Sequence, residues 1–136
     1  MNKKIKVAIY CRIGNKDKLA IKNQKEKLKE YCKVNAYEIY KIYEDNGYGA
    51  TNINRPGYNA MLTDLKESKF NTIMVFSIDR LTRSVIELYQ ILKLLGDYNC
   101  SLNFFKDQID TKSPMGKMDV RTMTIFSDLK KEFKNE

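Results

Sequence analysis

The chain has 136 residues, a length that predicts a single domain, and its 43% hydrophobic and 31% charged residues are typical of a globular protein. Its apolar runs are too short to cross a bilayer, and no signal-peptide pattern follows its basic N-terminus, so we expect a cytoplasmic protein. The net charge of +8 favours polyanionic partners but does not identify one.

Cysteine and histidine usage argues against a metal site. The chain has no histidine, and its three cysteines, Cys11, Cys32 and Cys100, are widely spaced without a CxxC pair. The usual zinc ligand sets therefore cannot be assembled, and we expect no metal. Buried reduced thiols that act as small hydrophobic side chains are the simpler interpretation.

Apolar patterning predicts alternating strands and helices along the chain. In order, we predict a strand over 6–11, a helix over about 19–35, a strand over 38–43, a loop over 44–56 and a helix over 58–66. A strand over 72–78, a helix over 85–98 and a strand over 101–105 follow. A last helix is predicted from about residue 114, because Ser113 suits an N-cap and Pro114 the first helical position.

This alternation predicts an α/β fold with a mostly parallel sheet of four or five strands flanked by helices. Sites in such sheets lie at the carboxyl ends of the strands. That rule places the segments 12–15, 45–55 and 79–83 around one crevice.

Arginines are frequent in these three segments, and the planar guanidinium suits a phosphodiester because it binds phosphate oxygens bidentately. Those concerned are Arg12, Arg55, Arg80 and Arg83. The alternative is that each is a surface arginine paired with an aspartate. For Arg55 taken alone, that alternative is the simpler interpretation.

Five spaced motifs run through the chain in order. They are YCRI at 10–13, IKNQ at 21–24, DNGY at 45–48 with NRPG at 54–57, DRLTR at 79–83 and DTKSPMGK at 110–117. Together they resemble the catalytic domain of the resolvase/invertase-type serine recombinases. The likeness covers essentially the whole chain, and the set of five is far more specific than any one motif.

The resemblance implies a resolvase-like three-layer fold and a reaction in which DNA strands are cut and rejoined through a phosphoserine link. It implies that Arg12, Arg80 and Arg83 surround the scissile phosphate, and that Asp79 orients an arginine or assists proton transfer. Supporting roles at the DNA phosphate fall to Gln24, Arg55 and Asp45. No cofactor is implied. The family dimerises through the long terminal helix and exchanges DNA ends in a tetramer.

The chain departs from the family pattern at the position that matters most. The nucleophilic serine is replaced by Gly14, and glycine has no side chain with which to form a covalent link. Strand alternation places Cys11 on the face opposite Tyr10 and Arg12, so we do not expect Cys11 to replace the serine. Further departures are GA at 49–50 in place of Ser-Gly, and KK at 130–131 in place of Glu-Arg.

Three functional hypotheses remain open. The first is a recombination domain that does not cleave DNA, organised as one domain over 1–136 without the family's separate DNA-binding domain. The second is a non-catalytic module that binds DNA or dimerises, and so regulates a competent recombinase. The third, a flavodoxin-like or receiver-like domain, ranks last because no glycine-rich phosphate loop is present.

Overall fold

The computed structural model describes residues 4–49, 54–82 and 84–112. Its centre is a five-stranded sheet in the order β2-β1-β3-β4-β5, in which β5 is antiparallel to β4 and the other neighbours are parallel. The strands are β1 (Lys6–Ile13), β2 (Glu38–Asn46), β3 (Thr72–Val75), β4 (Ser101–Phe104) and β5 (Ile109–Asp110). The predicted α/β fold with a mostly parallel sheet is confirmed.

Four helices connect these strands, and local sequence explains where three of them begin. They are α1 (Lys18–Val34), α2 (Pro56–Lys66), α3 (Ile78–Leu81) and α4 (Val85–Asp97). The Asp17 carboxylate accepts hydrogen bonds from the first turn of α1, and the Ser84 hydroxyl accepts one from the Glu87 amide of α4. In α2, Pro56 occupies the first turn, where its missing N–H costs nothing.

Alternation along β1 divides the core between the two faces of the sheet. Ala8 and Tyr10 pack with α2 and α4 on one face, whereas Val7, Ile9 and Cys11 pack with α1 on the other. All five side chains are fully buried. Burial of a large apolar side chain stabilises the fold by about 1.5–3 kcal/mol, so β1 is a principal source of stability.

The ends of two strands, β2 and β3, differ most from the sequence-based prediction. Strand β2 continues to Asn46, where a loop was predicted, because its pairing with β1 extends through Asp45 opposite Arg12. Strand β3 ends at Val75, and the predicted strand residue Ile78 instead begins α3. The terminal helix predicted from about residue 114 lies outside the described residues, as do Arg83 and residues 50–53.

Candidate functional site

The Arg12 side chain joins the three segments at the carboxyl ends of the strands. Its Nε donates to the carbonyl oxygen of Arg80 at 3.0 Å, and its Nη2 donates to that of Asp79 at 2.5 Å. Its Nη1 donates to the carbonyl oxygen of Tyr48 at 3.0 Å. Arg12 is only 3% exposed, so its guanidinium holds these segments together from inside the fold.

Gly14 lies on the surface at the point where β1 has ended. A Cβ atom built on Gly14 would have no neighbour within 4 Å, so a small side chain fits there without displacing anything. Beneath this turn, Gln24 Nε2 donates to the carbonyl oxygen of Arg12 at 3.1 Å. The buried Gln24 Oε1 has no hydrogen-bond partner within the described residues.

Asp45 is buried and binds three donors. Its carboxylate accepts hydrogen bonds from the Tyr10 hydroxyl at 2.7 Å and from the backbone amides of Gly57 at 2.7 Å and Tyr58 at 2.9 Å. The two amides belong to the first turn of α2, so Asp45 fixes the start of that helix to the sheet. Gly57 is required for this approach, because a Cβ there would lie 2.5 Å from the carbonyl oxygen of Glu44.

Arg55 directly precedes the same helix and is buried. The centre of its guanidinium is 4.1 Å from the ring centroid of Tyr58, and its Nη1 donates to the carbonyl oxygen of Leu81 at 2.8 Å. Its Nη2 binds Glu87 Oε1 at 2.8 Å, and Arg55 is only 3% exposed. The interpretation of Arg55 as a surface arginine paired with an aspartate is therefore wrong, since it is buried and its partner is a glutamate.

Glu87 was missed by the sequence analysis, although a signal for it existed. It follows Ser84 by three residues, which is the spacing of a capping box at the start of a helix. That pattern predicts a capping role for Glu87, but it gives no hint of the contact with Arg55, which lies 32 residues away in sequence.

The DRLTR segment contributes backbone carbonyl groups to the site, and the Asp79 side chain makes a short contact. The Ser77 hydroxyl donates to Asp79 Oδ1 at 2.5 Å, and the side chain of Arg80 is half-buried. Arg12 binds the carbonyl groups of Asp79 and Arg80, so the structure brings these three residues together. Arg83 lies outside the described residues, and contact between any of these residues and a phosphate stays a prediction.

The Cys11 thiol and the hydroxyls of Tyr10, Ser77 and Thr82 are buried, whereas Ser84 is exposed and its hydroxyl caps helix α4. Cys11 is fully buried on the α1 face, and burial raises the pKa of its thiol to about 12. Burial and the hydrogen bond to Asp45 raise the pKa of Tyr10. Ser77 is bonded to Asp79, and Thr82 Oγ1 accepts from the Ser84 amide at 3.0 Å. The buried groups are packed or hydrogen-bonded inside the protein, as was expected for Cys11.

Two further features of the described residues bear on the kind of site. Within 4–49, 54–82 and 84–112, no group of three or more acidic, cysteine or histidine side chains could hold a metal ion. In the same part of the chain, no helix has the length and apolar character needed to cross a membrane.

The fold and these motifs define a recombinase-type domain, and comparison with known proteins identifies the family. A family model described as the N-terminal domain of resolvase matches residues 7–136. The chain therefore belongs to the serine recombinase family, and it carries the site-specific recombination domain of that family, as its five motifs predicted.

Individual relatives agree with this assignment. Serine recombinase gin of Escherichia phage Mu is 33% identical over 91 residues, which cover 67% of this chain and 46% of gin. The crystal structure of the N-terminal catalytic domain of TP901-1 integrase has a TM-score of 0.80 and 25% identity, covering 95% of this chain and 98% of that one. A resolvase family site-specific recombinase from Streptococcus pneumoniae has a TM-score of 0.77 and 27% identity, covering 97% and 91%. The chain spans about half the length of the curated recombinases it matches.

Proposed function

We propose that this chain is a serine recombinase domain that binds the phosphodiester backbone of DNA without cleaving it. The observation that carries the proposal is Gly14, which occupies the exposed end of β1 where the family motif has its nucleophilic serine. A glycine offers no oxygen to attack phosphorus, so no phosphoserine link forms there.

The surroundings of Gly14 support the same conclusion. Cys11, Tyr10, Ser77 and Thr82 are 0–5% exposed, so none of these four presents a nucleophile to bound DNA; Ser84 is exposed, but its hydroxyl caps helix α4. The proposed phosphate ligands are Arg80 and Arg83, with Asp79 orienting an arginine, and Arg12, which is buried and bonded to three backbone carbonyl groups, supports the site from inside the fold. Arginine charge at this place stabilises a phosphate without a metal or a nucleotide cofactor.

Trapping of covalent protein–DNA complexes tests the proposal. The protein is incubated with supercoiled plasmids that carry a library of genomic fragments from its source, and the mixture is denatured with detergent and separated on a gel. We expect no adduct from the unmodified protein or from Gly14→Ala. Gly14→Ser differs from Gly14→Ala only by the missing hydroxyl, and it is the variant in which an adduct can appear. An adduct from the unmodified protein would refute the proposal, whichever residue carried it.

The missing nucleophile also supports a second function, in which the domain pairs with a competent recombinase and regulates it. A domain that keeps its framework without the nucleophile can still occupy DNA and a dimer interface. The proposed interface is the terminal helix predicted from the sequence, which is rich in apolar residues: Met115, Met118, Met123, Ile125, Phe126, Leu129 and Phe133. We propose a homodimer through this helix, with a tetramer of two dimers as the larger assembly.

Sedimentation over a concentration series tests the interface. We expect a concentration-dependent dimer, and we expect Phe126→Glu with Leu129→Glu to abolish it by placing charge in the apolar contact. Ser127→Glu adds charge at a polar position of the same segment and serves as the control. A monomer at high micromolar concentration would show that the terminal segment does not mediate pairing.

A further inference from the structure

A row of lysines runs along one side of α1. Lys18, Lys22, Lys25 and Lys29 are spaced by four, three and four residues, so they follow one another on the same side of the helix. They line a groove between α1 and strand β2, which supplies Ile42, Glu44 and Asn46 to its other side. We call this surface the lysine groove.

The lysine groove carries an excess of positive charge. Four lysines face two glutamates, Glu26 and Glu44, within its lining. Glu44 forms an ion pair with Lys25. For Lys18, Lys22 and Lys29, no ion pair is found with the described residues, and all three are exposed. The groove therefore attracts an anion with several regularly spaced charges.

The position of the lysine groove links it to the candidate site. Helix α1 begins four residues after Gly14 and runs back along the sheet, beside the edge strand β2. From Lys18 to Lys29 the helix rises by about 16 Å. One strand of duplex DNA presents about five phosphates over that length, at about 3.4 Å of rise each.

We propose that the lysine groove is a second contact surface for duplex DNA, which holds the backbone of one strand as it leaves the crevice. This inference rests on the proposed binding of DNA at the strand ends. An acidic protein segment is the alternative occupant. The lining favours DNA because it contains no aromatic side chain, the type of anchor that dominates protein–protein contacts.

Fluorescence anisotropy with a labelled mixed-sequence duplex of about 30 base pairs tests the inference across a salt series. The variant Lys22→Glu with Lys29→Glu reverses two charges in the groove. Its matched control is Lys66→Glu with Lys93→Glu, which reverses two exposed lysines on α2 and α4, across the sheet from α1. Circular dichroism is used to check that both double variants are folded.

We expect the groove variant to bind the duplex about ten-fold more weakly at low salt, and its slope of log Kd against log salt to fall by about 2. The control variant should keep a slope close to that of the unmodified protein. Glu44→Gln provides an opposite test, because it releases Lys25 from its ion pair and should tighten binding by about two-fold.

Three results would overturn the inference. Equal weakening by the two double variants would mean that the charge acts diffusely. Competition by polyglutamate as strong as that by duplex of equal charge would mean that the groove serves an acidic protein. If the unmodified protein binds no duplex even at low salt, the proposed function fails together with this inference, whereas the first two results leave the proposed function intact.

Discussion

Replacing Asp45 by asparagine should destabilise the protein strongly, although the two side chains have nearly the same volume. The carboxylate accepts from two backbone amides of α2 and from the Tyr10 hydroxyl, and it is 1% exposed. An asparagine can keep the bond from the Gly57 amide through its one oxygen. Its amide nitrogen would then face the Tyr58 amide, which also donates, so that a buried N–H would lose its acceptor.

The magnitude follows from these contacts. Loss of a hydrogen bond to a charged group costs about 1.5–3 kcal/mol, and a buried unsatisfied donor adds about 1–3 kcal/mol. We therefore expect Asp45→Asn to lower the free energy of unfolding by about 2–4 kcal/mol, taking the partial relaxation of the helix end into account. Urea unfolding followed by circular dichroism measures this change.

Tyr10→Phe is the control for this prediction, because it removes one of the three donors and leaves both amides in place. It should cost about 1.5 kcal/mol, the lower end of the range for a hydrogen bond to a charged group, and less than that in the Asp45→Asn background, since the two changes remove a shared bond. If Asp45→Asn changes the free energy of unfolding by less than about 0.5 kcal/mol, Asp45 does not hold α2 to the sheet as described.

Two further predictions concern Gly14 and the cysteines. Gly14→Ser should change the free energy of unfolding by less than about 0.5 kcal/mol in urea, because its side chain meets no atom within 4 Å; a larger loss would mean that the backbone there requires glycine. Burial raises the pKa of Cys11 and Cys100 to about 12 and that of Cys32 to about 11, so the stability that these thiols contribute is complete below about pH 9 and is lost as the pH rises toward 12. The urea midpoint should fall as the pH rises above 9, and it should fall less steeply in Cys11→Ala. In a separate measurement at pH 8, a thiol reagent should label the cysteines only as the protein unfolds. Rapid labelling of the folded protein would contradict their burial.

The parallel core of the fold was predictable because it depends on local patterns. Short apolar runs flanked by turn residues predicted β1, β3 and β4, and the apolar stripe with its polar opposite face predicted α1. The end of β2 was not predictable in this way. Asp45 and Asn46 have a low tendency to form strands, and they are in the sheet only because β1 pairs with them.

The candidate site was likewise predictable only in part. The rule that sites lie at the carboxyl ends of parallel strands brought together three distant segments, and Arg12 does bond to residues of the other two. It could not say what each side chain does there. Arg12 donates to three carbonyl groups and Arg55 lies between a tyrosine ring and Glu87, and both arrangements depend on tertiary contacts that no local pattern encodes.

The recombinase motifs of this chain therefore contain residues with two different roles. Gln24, Asp45 and Arg55 are buried and bonded to the backbone of other elements, so their loss would leave polar groups without partners inside the protein. A side chain at Gly14 would meet no atom within 4 Å of its Cβ, so a serine can be absent there at little cost to folding. Stability alone is sufficient to retain the first group, whereas, under the proposed function, only strand cleavage requires a hydroxyl at position 14. A chain that still needs this fold for binding or pairing can thus keep nearly the whole motif set and lose the one residue that performs the chemistry.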